Sequence, residues 1–93
     1  MPHVRKLEAG DGRDVFAVVE DVPDDGFRVV AWLGRDPTIA DAITTLQERL
    51  RRGRELQLEY GLRKAPASLQ MLNEHLEKQL EHLEQAQRDT GLP

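Results

Sequence analysis

Asp36-Pro37-Thr38-Ile39-Ala40-Asp41-Ala42-Ile43 is the stretch on which the fold of this 93-residue chain turns. The Asp36 side chain suits the acceptor role at a helix N-terminus, Pro37 suits the first helical position, and Thr38 to Asp41 offers a second capping arrangement. Ile39, Ala42, Ile43, Leu46 and Leu50 follow at helical spacing, so a helix with one apolar side begins here. The chain before this point has a different period.

Upstream, Gly10-Asp11-Gly12 and Pro23-Asp24-Asp25-Gly26 place turn-forming residues between runs rich in β-branched side chains. The expectation is a three-stranded antiparallel meander over Val4 to Glu8, Asp14 to Val22 and Phe27 to Leu33. Under strict alternation Val15, Ala17 and Val19 oppose Phe16, Val18 and Val22. On the next strand Phe27, Val29, Ala31 and Leu33 oppose Val30 and Trp32. Both faces are apolar, which predicts cover on both, from this chain's helices or from another subunit.

Downstream, Arg51-Arg52-Gly53-Arg54 reads as a helix stop. Leu56, Leu58, Tyr60 and Leu62 then alternate with more polar residues, which favours a fourth strand over 55–62. One helix running to Lys64 with an interior glycine is the other solution, since Leu50, Arg54, Leu58 and Leu62 also recur every four residues. Ala65-Pro66-Ala67 opens a final helix that ends near Thr90-Gly91. Its leucines persist over some six turns, about 36 Å, more than so small a globule spans, so part of it should overhang. Glu74-His75-Leu76-Glu77 and Glu81-His82-Leu83-Glu84 repeat one tetrad seven residues apart, a heptad regularity that would suit a coiled coil. The fold expected is α+β: a meander and a packed helix over 1–64, then a long amphipathic helix over 65–93.

With 39% hydrophobic and 32% charged residues, the chain has the composition of one small domain. The lack of cysteine excludes disulfides, thiol catalysis and cysteine-ligated metal. Apolar runs are too short for a membrane span, and Met1 to Lys6 lacks the apolar core of a signal peptide, which points to the cytoplasm. The net charge of −4 conceals a basic block at 49–64 between two acidic flanks. That pattern indicates internal pairing or a local anionic contact.

Catalytic machinery is not recognisable. Ser68 is the only serine and has no nucleophile elbow, and Gly10-Asp11-Gly12 is too short for a dinucleotide fingerprint. His75 and His82 stand about 10 Å apart on one helix, too far to share an ion without further ligands. Glu20, Asp21, Asp24 and Asp25 read as solvated turn carboxylates. No catalytic, cofactor or metal residue is therefore expected. Two sets of residues suggest binding instead. Leu69, Leu72, Leu76, Leu80 and Leu83 form a ridge suited to a homodimer or a protein partner. Arg49, Arg51, Arg52 and Arg54 form a basic run suited to phosphates, although the chain has few aromatics to stack bases.

The order strand, acidic glycine hairpin, strand and capped helix, seen over Phe16 to Leu33 and Asp36 to Ala42, resembles the N-terminal half of HicB-type antitoxins. The resemblance covers under half of the chain. The turn and third strand usual in that family are missing between Leu33 and Asp36, so no functional residue transfers. The reading is a non-enzymatic interaction or regulatory protein that acts through its C-terminal helix. The alternative is a nucleic-acid-binding or antitoxin-like regulator that uses the arginine run.

Overall fold

The computed structural model describes residues 1–24, 26–61 and 64–93. Strands β1 (His3–Glu8), β2 (Asp14–Val22) and β3 (Gly26–Gly34) precede helices α1 (Ile39–Glu59) and α2 (Ala67–Thr90). The strands form one antiparallel sheet in the order β1-β2-β3. This is the α+β meander expected, with strand ends within a residue of the sequence reading. The β1–β2 turn is closed by Ala9 N–H to Arg13 O (2.7 Å) and Gly12 N–H to Ala9 O (2.9 Å), with Gly12 at φ 81°. That left-handed conformation is open to glycine at little cost.

Strict alternation fails on β3, and the failure shapes the core. Val18 pairs with Ala31 but Val19 with Val29, and Phe16 pairs with Gly34 but Ala17 with Trp32. Val30 and Leu33 are thus extra residues at two bulges, which shift the side-chain phase along the strand. As a result Ala31 and Leu33 join Val18 in the main core, together with Ile39, Ala42, Leu46 and Leu50 of α1 and Leu76, Leu83 and Ala86 of α2. Phe27 and Val29, grouped with them by simple alternation, lie with Val19 on the other face.

The helices cover one face only. Ala17 and Val19 are fully buried yet lie outside that core cluster, on the face away from the helices. Their cover comes from neighbouring strands. The Arg5 guanidinium of β1 sits 4.4 Å from the centre of the Phe27 ring of β3, reaching across β2 above Val19. An arginine stem screening apolar surface while its head stacks on an aromatic lies on the face where cover from a helix or another subunit was expected.

Thr38, not Asp36, is the N-cap of α1. Its Oγ1 accepts the Asp41 N–H at 3.0 Å from an extended backbone, so the second capping arrangement is the one used. The expected fourth strand over 55–62 is overturned: residues 55–59 belong to α1, Tyr60 and Gly61 form a turn, and Leu62 lies outside the described residues. Gly53 explains why the helix continues. It is buried against α2, where a Cβ atom would fall on Asn73 Oδ1 and lie 3.0 Å from Asn73 Cγ. The glycine that reads as a stop is a point of close packing between α1 and α2.

Pro66 is the N-cap of α2, and Gly91 closes it in the left-handed conformation at φ 70°, donating its N–H to Gln87 O. Leu92 then packs on the core, and Pro93 O accepts the Ile39 N–H at 3.0 Å, joining the end of α2 to the start of α1. Within the two helices the last buried residues toward the free end of the hairpin are Gly53 and Asn73, with Ala65 buried in the connection between them. Beyond them the tip projects, consistent with a molecule 55 Å long and 19 Å thick. No helix among the described residues is long and apolar enough to cross a membrane.

Candidate functional site

The repeated Glu-His-Leu-Glu tetrads place their residues by helical phase. At 100° per residue, Leu76 and Leu83 point into the core, and both are buried. His75, Lys78 and His82 fall on one flank of α2, while Glu74, Glu77, Glu81 and Glu84 fall on the other. The regularity read as a coiled-coil heptad sorts charge to opposite sides of one helix. Each flank borders a different concave surface.

On the first flank a cleft of about 680 Å³ runs between the outer edge of β3 and the helices. Its floor includes Ala42, Leu46 and Leu83, and it follows β3 without a break from Val29 to Gly34 and continues past the strand end to Arg35 and Asp36. Arg35, Arg49, His75, Lys78 and His82 line it against the single carboxylate of Asp36. Among the described residues no ion pair engages Arg35, Arg49 or Lys78. His82 Nε2 lies 3.0 Å from Val30 O, which ties α2 to the strand edge. Trp32, 60% exposed, belongs to the strand that walls the cleft, with its side chain on the sheet face of Ala17.

On the second flank a shallower groove of about 350 Å³ lies on the back of the hairpin, lined by Leu50, Arg51, Arg54 and Leu58 of α1 and Leu80 of α2. The α1 side carries Arg51 and Arg54 together with Glu55, and the glutamate flank of α2 lies beyond Leu80. Arg54 Nη2 binds Glu77 Oε1 at 2.7 Å across the helices, and Arg51 binds Glu55 at 3.3 Å along α1. Glu74, Glu81 and Glu84 share the glutamate flank and have no ion-pair partner among the described residues.

The leucine ridge is divided by this geometry. Leu76 and Leu83 are occupied by the chain's own core, Leu69 and Leu80 are half-buried, and Leu72 is 51% exposed. The apolar surface left open lies mostly at the hairpin tip, where Leu58 is 79% and Met71 68% exposed. Sequence reading missed this because it took the alternation of Leu56 and Leu58 for a strand. In a helix those two residues point to opposite sides, so α2 cannot cover both.

The arginine run does not converge on one side. Arg49 lines the β3 cleft, whereas Arg51 and Arg54 line the groove on the back. Helical phase places Arg52 on the cleft side. The carboxylates Glu20, Asp21 and Asp24 are spread along β2 and its turn, with Glu20 held by Arg28 at 2.7 Å; Asp25 lies outside the described residues. No protein-family model, curated protein or solved structure matches this chain.

Proposed function

We propose that this chain is a non-enzymatic, cytoplasmic interaction protein that works as a homodimer through the back of its α1–α2 hairpin. The observation that carries the reading is the groove formed by Leu50, Leu58 and Leu80, with Arg51, Arg54 and Glu55 along its α1 side and the glutamates of α2 on the flank beyond Leu80, where Glu77 meets Arg54. A two-fold axis parallel to the helices lays α1 of one copy on α2 of the other. Arg51 and Arg54 then face the partner's glutamate flank twice over, as an isologous interface requires. The Leu58 side chain, open to water in the single chain, becomes covered. Two helices about 31 to 36 Å long and about 20 Å wide together offer some 600 to 700 Å² per copy, close to the roughly 800 Å² of a standard interface.

Light scattering coupled to gel filtration tests the reading. A dimer is expected at about 100 μM, and Leu58→Glu, which places a carboxylate in the apolar groove, should give a monomer with unchanged far-ultraviolet circular dichroism. A wild-type chain that stays monomeric across that concentration range overturns the proposal.

A further inference from the structure

The cleft along β3 lies on the opposite flank of α2 from the dimer face, so it remains open whether or not the chain pairs. We infer that it is a binding site for an extended acidic peptide segment of a partner protein. Three observations lead there. The lining follows β3 from Val29 to its end at Gly34, which at about 3.3 Å per residue is some 16 Å of strand, and continues through Arg35 and Asp36, an elongated shape that suits a short extended peptide and not a compact metabolite. Arg35, Arg49 and Lys78 point charge into it with no carboxylate partner among the described residues, and His75 and His82 add ring nitrogens. Beneath and beside them the lining is apolar, with Ala42, Leu46 and Leu83.

That combination suits a segment in which carboxylates alternate with apolar side chains, one set facing the cations and the other the floor. β3 is an edge strand that pairs with β2 alone, so its outer side is open to a visiting main chain. The two bulges and the His82 contact at Val30 O interrupt that edge, so the cations and the apolar floor contribute more than a continuous ladder of backbone bonds would. A nucleic-acid strand suits the cleft less well. The chain as a whole carries −4, and the same helix presents Glu74, Glu77, Glu81 and Glu84 on its other flank, which opposes a long polyanion.

Binding is read by isothermal titration calorimetry. The full chain is titrated at low salt with a blocked hexapeptide alternating glutamate and valine. Its lysine–valine counterpart and a six-nucleotide single-stranded DNA are titrated in parallel. Saturable heat with the glutamate peptide alone is expected, the affinity weakened about tenfold or more by Arg49→Glu and by Lys78→Glu. Arg13→Glu, the same charge change in the β1–β2 turn, should leave the affinity unaltered. Both cleft variants are first checked for wild-type circular dichroism, and should either unfold, Lys78→Gln takes its place. No response to the glutamate peptide at about 1 mM overturns the inference. So does an equal response to the lysine peptide, or binding of the DNA strand without the peptide.

Discussion

Gly53 and Asn73 show how one residue sets the distance between two helices. Interior glycine weakens a helix by about 1 kcal/mol relative to alanine, so its use here needs a compensating contact. The compensation is the approach of Asn73, whose amide donates to Gln57 Oε1 at 3.0 Å while its Oδ1 stays buried without a partner. Gly53→Ala should therefore destabilise the fold by about 1 to 3 kcal/mol through overpacking, measured by urea denaturation. In an Asn73→Ala background the same substitution should instead stabilise by about 0.5 to 1 kcal/mol, because the obstacle is gone and the intrinsic preference of alanine remains. Equal effects in the two backgrounds would show that the two residues do not oppose each other. The exposed ion pairs, such as Lys6–Asp14 at 3.2 Å, contribute far less.

At the scale of elements, α2 is one amphipathic helix whose leucines have different tasks. Leu76 is buried in the core formed with Val18, Leu46 and Leu50, whereas Leu72 lies beyond Asn73 on the projecting tip. Leu76→Ala should cost about 2 to 5 kcal/mol and Leu72→Ala under about 1 kcal/mol, read from denaturation midpoints on a common slope. A ridge devoted wholly to association would give small values at both sites in the monomer. For α1, Thr38→Ala removes the side-chain acceptor of the Asp41 N–H and should lower stability by about 1 kcal/mol, while Asp36→Ala, which loses no cap, should change little. The start of α1 was legible in the sequence because capping is local chemistry. Its far end was not, because Arg51 to Tyr60 satisfies the periods of strand and helix at once, and only the fit of Gly53 against another element separates them.

At the scale of the whole molecule, charge is arranged so that each side of the hairpin favours a different neighbour. The back has Arg51 and Arg54 on α1 and the glutamate flank on α2, and the two-fold arrangement proposed for it has a direct test. An Arg51→Glu/Arg54→Glu variant has two acidic sides and a Glu77→Arg/Glu81→Arg variant two more basic ones. Each alone should be largely monomeric, and an equimolar mixture should form a heterodimer, seen by native mass spectrometry. Mixing without heterodimer formation would exclude pairing of α1 with α2 across a two-fold. What the sequence by itself determined is what neighbouring residues decide among themselves: the three strands and their turns, the capped start of α1, the span of α2 and the sorting of glutamate and histidine around it. Only the tertiary structure decided which face of β3 each side chain joins, that residues 55–59 are helical, that Leu76 and Leu83 serve the chain's own core, and that Arg35, Arg49 and Lys78 line one cleft. Bulges, close helix crossings and clefts arise from atoms distant in sequence, and their energies depend on separations that no local period encodes.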